Sequence, residues 1–230
     1  MLAHSDDDGQ TWSKPTNITR QVKDPKWRFV LQGPGRGITM HDGTLVFAAQ
    51  YRSAPDGPHG GKPFSTILWS EDRGERWHLG TGVKVDTTEA QVVELDDGVL
   101  MINCRDNRRG ARSVYTTRDL GRTWQVHPTS RSALVEPVCM ASLLRVDHDA
   151  LGRLLLFSNP ATTKGRFDMT VKVSRDDGAS WPASMWTLYD QRQGFGYSCL
   201  TRIDADHVGV LYEGVRELYF LRLPIRDLVR

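Results

Sequence analysis

Four copies of one eight-residue pattern constrain this chain more than anything else in it. Ser5-x-Asp7-x-Gly9-x-Thr11-Trp12 recurs as Ser70-x-Asp72-x-Gly74-x-x-Trp77, where Arg76 replaces the hydroxyl residue. It returns as Thr117-x-Asp119-x-Gly121-x-Thr123-Trp124 and as Ser174-x-Asp176-x-Gly178-x-Ser180-Trp181, with the tryptophans 65, 47 and 57 residues apart. Each position has a physical task. The aspartate bonds backbone N–H groups across a tight turn, and the glycine takes a left-handed conformation without steric cost. The tryptophan is expected to bury a large apolar face that pins the turn to a sheet.

Between the boxes lie short runs that read as strands: Thr44–Tyr51, Ser65–Trp69, Arg112–Thr117, Val138–Val146, Arg153–Ser158, Asp168–Val173, Ser198–Ile203, His207–Tyr212 and Glu217–Leu223. Helical periodicity is scarce. A repeat of this length built from short strands is the mark of a β-propeller, one four-stranded blade per repeat. The expectation is an all-β propeller with about four blades, residues 1–230 forming one domain. The boxes belong at hairpin turns on its outer rim, where they are structural.

Composition removes several alternatives. Lys+Arg and Asp+Glu stand at 30 and 28, for a net charge of +2, and no basic run carries interleaved aromatics, so nucleic acid is not an expected partner. No stretch approaches eighteen apolar residues, so no membrane span is expected. Cys104, Cys139 and Cys199 are odd in number and lack metal-ligand spacing, which argues for neither a disulfide framework nor a zinc site.

The stretch Thr87–Arg105 is the strongest candidate for chemistry. Two apolar runs flank Asp96-Asp97-Gly98, the signature of a β-hairpin. Glu89 enters the first strand and Arg105 leaves the second, so the turn brings an acid and a base to one edge. Glu94, inside the apolar run, is the rival acid and reads as structural. Asp106, Asn107 and Arg112 read as turn and strand residues. Gly33-Pro34-Gly35-Arg36-Gly37-Ile38 has the look of a phosphate cradle, but strand follows it, so no helix dipole is there to receive an anion. Further on, Arg166 starts a strand, and Tyr197 follows Gly194-Phe195-Gly196, where glycines let backbone approach a ligand.

The box resembles the Asp-box of the sialidase family, whose fold is a six-bladed propeller. The stretch from Glu89 to Arg105 is similar to the family segment that carries a catalytic Glu and an Arg. Arg166 corresponds to another of its three carboxylate-binding arginines, Tyr197 to its nucleophilic tyrosine, and Glu213 to the acid that orients its first arginine. The glycine-rich loop with Asp42-Gly43-Thr44 and Gln50-Tyr51 matches the segment before the substrate pocket, which implies that Gln50 contacts polar groups of the sugar. The resemblance implies retaining hydrolysis of terminal α-sialosides by Tyr197, with Glu89 as base, Arg105 and Arg166 on the substrate carboxylate, and no metal or organic cofactor. Its partners would be sialylated glycans, and the resemblance implies a secreted, periplasmic or cell-surface protein.

These residue types suit that substrate. Guanidinium forks bind a carboxylate bidentately and never lose their charge. A neutral phenol is not repelled by the substrate's carboxylate, unlike the nucleophilic carboxylate of most glycosidases. Ionising an ordinary tyrosine at pH 7 costs about 4 kcal/mol, so an adjacent base is required.

The family's first arginine and its aspartate acid have no counterpart here, and the chain opens almost directly on a box. The expectation is a chain truncated at its N-terminus that hydrolyses natural sialosides poorly, since leaving-group protonation contributes roughly 10²–10⁴-fold. Open sheet edges would favour self-association. Two other readings stay open at this stage: a lectin-like sialic-acid binder and a protein-binding propeller module. A transferase or an intramolecular, anhydro-forming variant would carry the same residues.

Overall fold

The computed structural model describes residues 1–229, without the side chain of Asp97; residue 230 of the expected domain lies outside the described residues. Four antiparallel sheets follow one another along the chain in a propeller-like array. The first blade orders Phe29–Gln32, Leu45–Arg52, Pro63–Ser70 and His78–Leu79 side by side, with Ile38–Thr39 also paired to its second strand. The second orders Thr87–Glu94, Leu100–Asp106, Ser113–Thr117 and Gln125–Val126. The third orders Ser142–His148, Gly152–Pro160, Met169–Ser174 and Trp186–Asp190. The fourth has three strands, Ser198–Arg202, His207–Glu213 and Leu218–Pro224. Gly110–Ala111 and Val135–Glu136 form a small extra ladder beside the second blade.

The core lies between blades. Val92 packs with Val46, Ile67 and Trp69 of the first blade, while its neighbour Val93 packs with Leu143, Leu155 and Phe157 of the third. Successive residues of a strand point to opposite faces, so a blade buried on both sides needs an unbroken apolar run. The runs that flank Asp96-Asp97-Gly98 have that character. A third core joins Leu144, Leu156 and Val171 to Leu200, Val208 and Val210 of the fourth blade.

Three boxes connect the third strand of a blade to its fourth, on the outer rim as expected. In the box at residues 117–124, Asp119 accepts the Thr123 N–H at 2.9 Å, the Thr123 hydroxyl at 2.7 Å and the Thr117 hydroxyl at 2.7 Å. The Thr117 Oγ1 in turn accepts the Gly121 N–H at 3.0 Å. The other three boxes repeat this pattern, Arg76 Nε replacing the hydroxyl on Asp72 at 2.9 Å. Each turn takes two left-handed residues in succession, as at Arg73 (φ 58°) and Gly74 (φ 93°). These donors hold the Asp7, Asp72 and Asp119 carboxyls down at about 2.

Trp77 and Trp181 are buried, at 3% and 7% exposure, as the pattern predicts. Trp12 departs from it at 66% exposure. Its box precedes the first blade, and among the described residues its flanks pair through the isolated Leu2–Thr16 bridge and the Ser13–His4 backbone bond and not through a named strand. Two expected strands also shift. The run expected at Val138–Val146 is strand only from Ser142, because Val138 is left-handed (φ 64°) and the carbonyls of Val138 and Cys139 accept bonds from arginines. Arg112 stands outside the ladder that begins at Ser113; its backbone bonds Leu134 and Arg131 instead. The strands Phe29–Gln32 and Trp186–Asp190 carried no clear alternation and appear only here. Among the described residues, no helix is long and apolar enough to cross a membrane.

Candidate active site

Glu89 sits where the innermost strand of the second blade breaks register. Its ladder skips between Thr88 and Gln91, and Glu89 holds a left-handed φ of 32°. A β-bulge of this kind re-aims a side chain. Both backbone polar groups of Glu89 find partners outside the ladder. Its N–H donates to Gln50 Oε1 at 2.8 Å, and its carbonyl accepts from Arg112 Nη2 at 3.5 Å. Gln50 thus touches the backbone of Glu89, from the first blade. Thr88 pairs with Arg105 across the hairpin, so the turn does bring Glu89 and Arg105 to one end of the blade.

Tyr197 arrives from the fourth blade, at the head of its innermost strand. Its hydroxyl donates to Glu89 Oε1, a contact between residues 108 positions apart. Arg105 Nη1 donates to Glu89 Oε2 and lies 3.3 Å from the Tyr197 oxygen. Arg166 sets its guanidinium over the Tyr197 ring, 5.7 Å from the centroid, and is braced by the carbonyls of Phe195 at 2.8 Å and Val138 at 3.1 Å. Glu213 accepts the Tyr197 N–H at 3.2 Å, and its own N–H returns to the Tyr197 carbonyl at 2.9 Å. All six residues singled out from the sequence therefore meet in one cluster.

The electrostatics keep the phenol neutral in the free protein. Burial, then the hydrogen bond and negative charge of Glu89, push the Tyr197 hydroxyl up to about 12, although Arg105 opposes them. Burial works against the charge of Arg105, but the Glu89 carboxylate outweighs it and the guanidinium stays above its ordinary range. The Nε of Arg105 is buried and finds no protein partner. An arginine has five N–H donors, so among the described residues Arg105 and Arg166 both retain donors without a partner.

The rival acid stands apart from this cluster, as its place inside the apolar run implies. Glu94 lies five residues beyond Glu89, about 16 Å at strand rise. There it accepts from the His41 N–H at 3.0 Å and lines a separate cavity of about 280 Å³ with Arg36, Met40, Leu143 and Arg145. The glycine-rich loop packs against the cluster, a Cβ on Gly33 standing 3.9 Å from the Cα of Glu89. The Gln91 side-chain amide lies 2.4 Å from where a Cβ on Gly35 would stand, and Gln91 donates to the Pro34 carbonyl at 2.8 Å.

Arg112, read from the sequence as an ordinary strand residue, is instead fully buried beneath the site and paired with Glu136 at 3.0 Å. Nothing local marks it. Its partner lies 24 positions away, and the only hint is an arginine placed directly before the run Ser113-Val114.

A family model described as a BNR repeat-like domain matches residues 1–210. The chain belongs to the BNR repeat-like family. This BNR repeat-like chain is 50% identical to a sialidase of Bacteroides fragilis, over all of its own length and 42% of that protein. A solved structure titled Hadza microbial sialidase Hz136 is 55% identical and superposes with a TM-score of 0.92, across 98% of this chain and 43% of its own. The Trypanosoma rangeli sialidase in complex with 2,3-difluorosialic acid, titled a covalent intermediate, is 23% identical and shares the fold, with a TM-score of 0.78 over 99% of this chain and 38% of its own. The BNR repeat-like chain thus spans less than half the length of each of these three relatives.

Proposed function

We propose that this chain carries the nucleophile, the base and two substrate-binding arginines of an exo-α-sialidase of the six-bladed type. The observation that carries the reading is the Tyr197 hydroxyl donating to Glu89 with Arg105 bridging both. A binder of sialic acid needs arginines but neither a base nor a nucleophile. A phenol held near 12 is inert until its proton has somewhere to go. Glu89 is that acceptor, and taking the proton also removes the negative charge that disfavours phenolate. Arg105 then faces the phenolate at the 3.3 Å it already keeps.

The reaction follows from these positions. Free donors of Arg105 and Arg166 hold the carboxylate of a terminal sialic acid, each charge-assisted bond contributing roughly 1.5–3 kcal/mol. Glu89 takes the phenolic proton while Tyr197 Oη bonds to the anomeric carbon and the aglycone departs. Water, giving its proton to the group that protonated the aglycone, then displaces the tyrosine from that carbon, and the phenolate recovers its proton from Glu89 with net retention. Among the described residues, the side chains of Glu89, Arg105 and Tyr197 hydrogen-bond only with one another, so none of the three is assigned as the acid that protonates the aglycone. Sialylated glycans are the substrate class, and such substrates place the working protein outside the cell.

Calorimetric binding of the glycal 2-deoxy-2,3-didehydro-sialic acid tests the reading. The chain is expected to bind it, and Arg105→Ala to lose it. No binding by the unmutated chain would refute the assignment of this site to the chain.

A further inference from the structure

We propose that Arg112, locked to Glu136, is the positioning residue that couples the three reacting side chains from below. The inference rests on the assignment of Glu89, Arg105 and Tyr197 as the reacting group. Arg112 is 1% exposed and Glu136 is fully buried, so the pair stands in a place where isolated charges are costly. A salt bridge this deep is weak evidence for stability, and a pair of apolar residues would fill the space as well. The directions in which its donors point give it another purpose.

The branches of the guanidinium run to Glu89 itself and to residues that support the rest of the site. Nη2 donates to the carbonyl of Glu89 at 3.5 Å, on the left-handed residue that aims the base. The same Nη2 donates to the Asn103 carbonyl at 3.1 Å, and Nε to Asn103 Oδ1 at 2.7 Å; Asn103 lies opposite Gln91, on the far side of the break in register. Nη1 donates to the Cys139 carbonyl at 2.8 Å and to Glu136 at 3.0 Å. Cys139 then donates its thiol to the Gly196 carbonyl, 3.4 Å away and adjacent to Tyr197. Burial pushes that thiol up to about 11, so it remains a donor at neutral pH. Glu136 closes the third route by accepting the backbone N–H of Asp106, next to Arg105, at 2.6 Å.

One buried cation thus reaches Glu89 directly and the flanks of Arg105 and Tyr197 through one intermediary each. These three come from strands of two blades, and a bulge, a strand end and a glycine-led loop hold them. No continuous ladder fixes their relative positions. Only a planar fork with five donors serves five acceptor atoms on four residues at once; the single ammonium of lysine does not.

Arg112→Lys is the decisive variant, because it keeps a positive charge opposite Glu136 and is expected to fold. Arg112→Met with Glu136→Gln removes both charges together and leaves no unpaired ion. Tyrosine labelled with ¹³C at Cζ, its Tyr197 signal identified with Tyr197→Phe, reports the phenol titration without any ligand. Positioning predicts that the Tyr197 titration falls below that of the unmutated chain in both variants, because the Glu89 hydrogen bond that helps raise it loosens while burial continues to hold it up. Glycal affinity should fall roughly tenfold, equivalent to about 1.4 kcal/mol. A folded Arg112→Lys chain with the titration and the affinity unchanged would overturn the proposal. If the unmutated chain binds no glycal yet Arg112→Lys moves the titration, the functional reading fails and the positioning role stands.

Discussion

The outer rim and the mouth of this molecule use the same bonds in opposite ways. On the rim, each box closes on itself: Asp119 gathers donors from residues two and four positions away, in a turn that any copy of the pattern can form. At the mouth, Tyr197 reaches Glu89 across 108 positions, and neither residue is in a regular ladder. The rim is therefore local, repeated and tolerant of failure in one copy. The mouth is assembled once, and it depends on the blades standing in register. Stability belongs to the first region and chemistry to the second, so changes in the two should separate cleanly.

The largest expected effect is on the mouth. Arg105→Ala should weaken glycal binding about 100-fold or more, the worth of two charge-assisted bonds, while the melting temperature moves little. A large loss of stability with that variant would erase the distinction between the two regions. On the rim, Trp77→Ala removes a buried indole and should cost about 3–5 kcal/mol in denaturant unfolding, with glycal affinity intact. Asp119→Ala strips its turn of three bonds and should lower the melting temperature more modestly, again without touching binding. Trp12→Ala sharpens the comparison inside the rim itself. With its ring exposed, the change should stay within about 0.5 kcal/mol, and a cost near that of Trp77→Ala would show that its face is covered in solution.

Titration separates the regions as well. The box carboxyls are depressed to about 2, so their contribution is present above the ordinary carboxylate range and is lost as pH falls through about 2. Tyr197 is raised to about 12 and prefers its proton in the folded chain, so its contribution is whole below pH 10 and disappears between 10 and 12. Tyr197→Phe should make the alkaline limb of the stability profile shallower by one group's share, since burial raises Tyr189, Cys104 and Cys139 as well, and leave the acid limb as it was, which urea melts across pH would register.

This contrast also explains what was legible in the sequence. Propeller architecture followed from the boxes because each encodes its own turn, and three of the four sit between the third and fourth strands of a blade. Glu89 and Arg105 were legible because a hairpin joins them. Arg166 and Tyr197 were legible only through a family resemblance, since residue type and spacing gave no sign that they would meet. Arg112 escaped because its meaning lies in Glu136, Asn103 and Cys139, which no local pattern connects. Trp12 escaped for the reverse reason: its box forms the turn, but burial of a ring needs a neighbouring sheet that the motif cannot supply.

The central claim is that Tyr197 bonds covalently to the anomeric carbon of a sialic acid. 2,3-Difluorosialic acid tests it most directly, because fluoride leaves without a protonating acid and the ring fluorine slows release of the product. After incubation, peptide mapping by mass spectrometry should locate the sugar on Tyr197 and find none in Tyr197→Phe. Glycal binding with no adduct, or an adduct on any other residue, would contradict the account.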